Sequence, residues 1–230
     1  MNTRIALVGM GKMGRAIAAL AADRGCEVVA RLDLPETSRG IAATMLNGAE
    51  VAIEFTTPTS AAANARGLID AGIPTVVGTT GWYDALPELA RHVSDVNGAL
   101  LTATNFSLGV NAFEAILTEA AAILARTGGF DAHMIELHHS AKKDAPSGTA
   151  ATLEQSAAKA WGKSIPITSV RTGSIPGTHE IVFDAPFETI RLAHVARDRK
   201  VFADGALVAA QWLVGRRGVF TMKDVIHSKA

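Results

Sequence analysis

Only one cysteine, Cys26, occurs in the 230 residues, so no internal disulfide can staple the fold. It opens an apolar, strand-like run and reads as a buried structural thiol. Charge of neither sign is in excess: 22 Lys and Arg stand against 22 Asp and Glu. With no basic surplus to hold a phosphodiester backbone, nucleic acid is not expected as a partner. No apolar stretch approaches the ~18–20 residues that span a bilayer. The chain enters a strand at once, without a charged leader and small-residue cleavage site. A reducing, cytoplasmic setting without a membrane partner is the expectation.

What is present fits a globular α/β protein: 48% apolar residues, 19% charged, and 21 glycines. The length allows one large domain or two small ones. Residues 4–8, 26–32, 51–55, 73–78 and 99–103 are short aliphatic runs of strand character. Helix-spaced stretches at 11–24, 60–71 and 84–96 separate them, which predicts a parallel sheet covered on both faces. The pattern changes after a helical stretch at 111–125. Residues 131–139, 180–184 and 188–195 alternate one by one, as strands of an open, half-exposed, mixed sheet do. A helical pattern returns at 206–214. The expected organisation is a Rossmann-like, doubly wound dinucleotide domain over 1–107 and 202–230. A smaller α+β domain for substrate binding and oligomerisation is expected over 108–201.

Gly9-Met10-Gly11-Lys12-Met13-Gly14 fits GxGxxG between the first strand and the first helix. Glycines there permit a tight turn and close approach to a pyrophosphate, which the helix N-terminus faces with unpaired N–H groups. Asp33 closes the second strand, where an acid accepts hydrogen bonds from the adenosine ribose. Leu34 follows it in place of an arginine for a 2′-phosphate, although Lys12 and Arg31 are near, so the expectation leans to NADH without excluding NADPH. Gly78, Thr79 and Thr80 lie on the same carboxyl edge of the sheet, as do Ala103, Thr104, Asn105 and Phe106. These are candidates for the nicotinamide end of the cofactor.

The most chemically loaded segment is Glu136-Leu137-His138-His139-Ser140-Ala141-Lys142-Lys143-Asp144-Ala145-Pro146-Ser147-Gly148-Thr149. Alternation puts Glu136 and His138 on one strand face and His139 on the other. Ser147, Gly148 and Thr149 open a helix whose first N–H groups suit a carboxylate. Lys142 offers a cation or a proton. Adjacent strand histidines point apart and no cysteine or His-x-x-x-His helix completes a set, so no metal is expected.

This segment resembles the dihydrodipicolinate (4-hydroxy-tetrahydrodipicolinate) reductase family. So do Gly78-Thr79-Thr80-Gly81, residues 105–111, Arg171-Thr172-Gly173 and residues 219–225. The resemblance implies reduction of a cyclic dicarboxylate by NADH or NADPH on the diaminopimelate route to lysine, in a homotetramer. It implies His138 and Lys142 as proton donors, and His139, Ser147, Gly148 and Thr149 as holders of the substrate carboxylates. Longer members have GxxGxxG in the glycine turn, so 2′-phosphate recognition does not carry over directly. Lys143 is a possible understudy for Lys142. Two rivals differ in what they need. A non-catalytic dinucleotide sensor would keep Gly9, Gly11, Gly14 and Asp33 but have no use for His138 and Lys142. A related amino-acid dehydrogenase would lack the joined His-His-x-x-Lys and Ser-Gly-Thr.

Overall fold

The computed structural model describes residues 2–34 and 36–228. The chain forms two compact units, Met1–Leu108 with Lys200–Ala230, and Gly109–Arg199. In chain order the first unit contributes β1 (Thr3–Val8), α1 (Lys12–Leu20), β2 (Cys26–Leu32), β3 (Val51–Glu54), α2 (Pro58–Asp70), β4 (Thr75–Val77), α3 (Leu86–Asp95) and β5 (Ala99–Thr102). The second unit holds α4 (Leu108–Thr127), β6 (Asp131–His138), α5 (Gly148–Trp161), β7 (Ile167–Arg171), β8 (Gly177–Ala185) and β9 (Glu188–Ala196). The chain then returns to the first unit as α6 (Lys200–Leu213), β10 (Gly218–Phe220) and α7 (Met222–His227).

The six strands of the first unit run in the order β10-β5-β4-β3-β1-β2, every pairing parallel. Both faces are covered, which is why the strands read as continuous apolar runs. Along β1, Ile5 and Leu7 enter one core with Ile17 and the alanine-rich face of α6, while Ala6 and Val8 enter another with Leu32, Ala52 and Leu68. Strand β10 and helix α7 have no counterpart in the sequence periodicity. Three residues are too few to show a period. The start of α7 is encoded locally as Thr221-x-x-Asp224, a reciprocal cap in which Asp224 Oδ2 accepts from the Thr221 N–H at 2.7 Å.

The second unit has the sheet order β7-β6-β8-β9, with β6 and β7 parallel and the other pairs antiparallel. This is the open mixed sheet that the alternation at 131–139 and 188–195 implies. Its core joins Phe113 and Leu117 of α4 to Met134, Leu153, Ile181 and Phe183. Helix α4 corrects one expectation, because by length and composition it is apolar enough to cross a membrane. A count of uninterrupted runs overlooks it, since Glu114, Glu119 and Arg126 break the run. One face of α4 feeds the second core through Phe113, Leu117, Ala121 and Leu124, while Ile116 and Ile123 remain exposed.

Candidate active site

On the first unit, the glycine turn leaves β1 beside the end of β2, with the Gly9 N–H donating to the Leu32 carbonyl at 2.8 Å. Its three glycines answer three different demands. Gly9 has φ +93°, and a Cβ there would lie 2.0 Å from the Phe55 carbonyl oxygen. A Cβ on Gly14 would lie 2.0 Å from the carbonyl oxygen of Gly9, so α1 can pack on the turn only without one. A Cβ on Gly11 meets nothing within 4 Å. Gly11 thus leaves open the side on which a pyrophosphate would approach the N-terminus of α1. Gly11, Lys12, Met13, Thr56, Thr79 and Thr80 are among the walls of a cleft of about 430 Å³ on this edge. Met10 turns its carbonyl to Arg15 Nη1 at 2.9 Å. These residues fit a dinucleotide. Asp33 is exposed immediately past β2, its Oδ1 accepting from the N–H of Leu34, itself 72% exposed.

Other parts of this edge serve the protein more than its surface. Gly78 lines the cleft too, and because a Cβ on it would lie 2.0 Å from the Phe55 ring, its smallness also makes room for that ring. Thr79 is buried; its hydroxyl donates to Glu54 Oε2 at 2.7 Å and accepts from the Thr56 N–H at 2.8 Å. Glu54, given no role from sequence, is fully buried. Burial pushes its carboxyl up, against hydrogen bonds from Thr56, Thr79 and Asn64. Its signal is an acid closing an otherwise apolar strand. After β5, Asn105 Oδ1 accepts from the Ser107 N–H at 2.9 Å. Ala103 is half-buried, Thr104 is exposed, and Phe106 is buried with its ring edge-on to Phe55.

On the second unit, β6 carries Glu136 and His138 inward on one face, both buried. His138 Nδ1 is hydrogen-bonded to Glu136 Oε2, and Arg171 Nη2 donates to Glu136 Oε1 at 2.6 Å. Register explains the meeting: His138 lies opposite Arg171 on β7, and Glu136 lies opposite His179 on β8. The His138 and His179 rings meet edge to face with centroids 5.3 Å apart. Arg171 and His179 have no role assigned from sequence, because pairing between distant strands leaves no local signal. His139 lies just beyond β6, half-buried, with its N–H donating to the Ile175 carbonyl at 2.9 Å.

Ser147 caps α5, its hydroxyl accepting from the Ala150 N–H at 3.1 Å. That hydroxyl also lies 3.3 Å from His179 Nε2, and the Ser147 N–H donates to Glu136 Oε1 at 3.3 Å. Ser147 is thereby buried within the protein's own network, while Gly148 and Thr149 are more open. Lys142 Nζ pairs with Asp144 Oδ1 at 2.9 Å, and the Gly148 N–H also reaches the Asp144 carboxylate. Those contacts, the Lys142 bond foremost, lower the Asp144 carboxyl. A carboxylate of the chain itself therefore already sits between the cation and the helix start.

Burial raises the Glu136 carboxyl, but hydrogen bonds from Arg171, Ser169 and His138 outweigh it and hold it at about 2. Burial lowers His138, partly offset by Glu136, and the charges of Lys142 and Arg171 lower it further. Burial is also the main cause that takes His179 down to about 4. Between pH 6.5 and 4 the unfolded chain binds a proton at this histidine that the folded chain does not. Stability is therefore full above pH 6.5 and falls as pH drops through this window, by up to ~3 kcal/mol from His179. Glu136 adds a second loss from pH 4.5 towards 2. Urea unfolding at pH 7 and pH 5 should show the first loss, with a flatter dependence in His179→Gln. Equal slopes in both proteins would disprove it.

A parallel dinucleotide-type sheet in one unit, and a mixed sheet bearing a buried acid–base cluster in the other, define a two-unit nicotinamide oxidoreductase. Comparison with known proteins narrows the class. The family model described as dihydrodipicolinate reductase, N-terminus, matches residues 3–106, and that described as dihydrodipicolinate reductase, C-terminus, matches residues 109–226. The 4-hydroxy-tetrahydrodipicolinate reductase of Christiangramia forsetii is 36% identical over 96% of this chain and 97% of its own length. The Thiobacillus denitrificans protein of the same name is 35% identical over 100% of both chains. In fold, the chain is similar to a dipicolinate-bound dihydrodipicolinate reductase from Paenisporosarcina sp. TG-14, with a TM-score of 0.82, 23% identity, and 96% and 98% of the two chains covered. The chain belongs to the dihydrodipicolinate reductase family.

Proposed function

We propose that this chain reduces 4-hydroxy-tetrahydrodipicolinate to tetrahydrodipicolinate at the expense of a reduced nicotinamide, with His138 and Lys142 supplying the proton. In the balanced reaction, the 4-hydroxyl leaves as water together with a proton from the neighbouring ring carbon, which creates a conjugated C=C/C=N system. A hydride and a proton then add across that system. The reduced nicotinamide, held by the glycine turn, Asp33, residues 78–80 and residues 103–106, supplies the hydride. Hydride arrival puts an electron pair on the ring, which His138 quenches by giving up a proton. Lys142 stands beside it as a second donor.

One observation carries this reading. Asp144 places a carboxylate against both Lys142 Nζ and the Gly148 N–H, so the groups proposed to hold a substrate carboxylate bind one already. His139 and Thr149 complete that seat, Ser147 holds the start of α5 behind it through its cap on Ala150, and the second unit is the substrate domain. Asp33 followed by the exposed Leu34 supports a preference for NADH. The hairpin edge formed by β9, with Phe187 fully exposed at its turn, supports a homotetramer built by joining mixed sheets. A cytoplasmic place on the diaminopimelate route to lysine completes the proposal.

The test generates substrate in place from pyruvate and aspartate semialdehyde with a coupling synthase, and follows loss of reduced-nicotinamide absorbance. Consumption should require the synthase and be faster with NADH than with NADPH. Consumption indifferent to the synthase would overturn the assignment.

A further inference from the structure

Glu136, Arg171 and His179 surround His138 yet have no part in the proposed chemistry so far. Their arrangement is expensive to build. Glu136 is 0% exposed, and a carboxylate taken fully out of water is strongly disfavoured unless it is paired and hydrogen-bonded. Here both oxygens are engaged, Oε2 by His138 Nδ1 and Oε1 by Arg171 at 2.6 Å and the Ser147 N–H at 3.3 Å. Arg171 is itself held, donating to the Asp144 carbonyl at 2.6 Å and the Val170 carbonyl at 2.8 Å.

A cation site is the obvious alternative, since donor atoms of Glu136, His138 and His179 all lie within 4.8 Å of one another. The hydrogen bonds argue against it. A cation would have to displace the guanidinium from one carboxylate oxygen and the imidazole N–H from the other.

An ionised carboxylate only accepts hydrogen bonds, so its contact with Nδ1 dictates which imidazole nitrogen bears the fixed hydrogen. We propose that Glu136, clamped by Arg171, is a positioning residue for the reduction: it holds the Nδ1–H of His138 and thereby makes Nε2 the nitrogen that gives up the proton. This rests on His138 being the proton donor. In the step, the Nε2–H bond of the imidazolium breaks and a ring C–H bond forms on the substrate. The neutral imidazole keeps its Nδ1–H on Glu136, and solvent restores the proton at Nε2. Gly177 fits this assignment, because a Cβ there would press to 3.0 Å on Nε2.

Besides burial, the groups that shift the proton affinity of His138 are Glu136 on β6, Lys142 in the following loop and Arg171 on β7; the ring of His179 on β8 packs against it, and His194 of β9 in turn acts on His179. Of these, Glu136 alone raises it. Loss of its charge in Glu136→Gln should therefore shift the His138 titration, and the pH above which turnover declines, about one unit towards acid. Arg171→Gln should shift both the opposite way. General loosening of the fold would not produce opposite shifts.

The test needs no variant to begin. In wild-type protein labelled with ¹⁵N-histidine, His138 is assigned by difference against His138→Gln. Above its titration midpoint it should be the Nδ1–H tautomer, and finding the Nε2–H tautomer overturns the inference. So does a folded Glu136→Gln protein, checked by circular dichroism, whose midpoint does not move. Should a single variant fail to fold, Glu136→Gln/Arg171→Gln removes both charges together. Its midpoint should still move to acid, because Glu136 makes the direct hydrogen bond, and no movement overturns the inference. Retained turnover in His138→Gln would refute the proton-donor assignment without touching the tautomer result, so the two failures are separable.

Discussion

His138→Gln should lower turnover by ~10²–10⁴-fold, the usual contribution of a positioned proton donor, while NADH binds as before. Glutamine keeps a donor for Glu136, so the buried carboxylate retains a partner and the loss reports on the proton. Lys142→Ala should fall in the same range if the ammonium shares the task. Its Asp144 pair is partly exposed and adds little to stability. Steady-state kinetics with isothermal titration of NADH separates the two quantities. Near-normal turnover in both variants would leave the second unit without a proton donor.

The second large effect separates the glycines of the dinucleotide turn. Gly14→Ala places a methyl 2.0 Å from the carbonyl oxygen of Gly9, so the backbone of the turn or of α1 must shift. Overpacking of this kind costs ~1–3 kcal/mol and more where backbone must shift, and cofactor binding should fail with it. Gly11→Ala meets no neighbour within 4 Å, and its φ of −68° suits alanine. That variant should stay within ~0.5 kcal/mol of wild-type stability yet bind NADH at least ~10-fold more weakly, about 1.4 kcal/mol, because its methyl stands where the phosphates come. Thermal melts and NADH titrations on both proteins decide it. Unchanged NADH affinity in Gly11→Ala would remove the pyrophosphate from this turn.

Local chemistry makes a large part of the molecule legible. The buried parallel strands show as aliphatic runs, and the half-exposed sheet as alternation. Ser147 announces the start of α5 because a cap must sit just ahead of the first helical N–H groups. Residue order along β6 is enough to put Glu136 and His138 on the same face, since strand side chains alternate. What stays hidden depends on partners far along the chain. Arg171 reaches Glu136 through the β6–β7 register, and His179 reaches His138 through the β6–β8 register; neither is encoded within one strand. The same limit applies to Gly78, whose missing side chain answers to the Phe55 ring. It applies to β10 as well, which is defined only by its pairing with β5.

The most direct test is the fate of a deuterium at the transferable position of the nicotinamide C4, followed by mass spectrometry of the tetrahydrodipicolinate formed from synthase-generated substrate. Hydride transfer predicts product carrying one deuterium on a carbon that does not exchange with water, and none in its place when the cofactor is unlabelled. Cofactor oxidised without deuterium in the product would contradict reduction of this substrate by this chain.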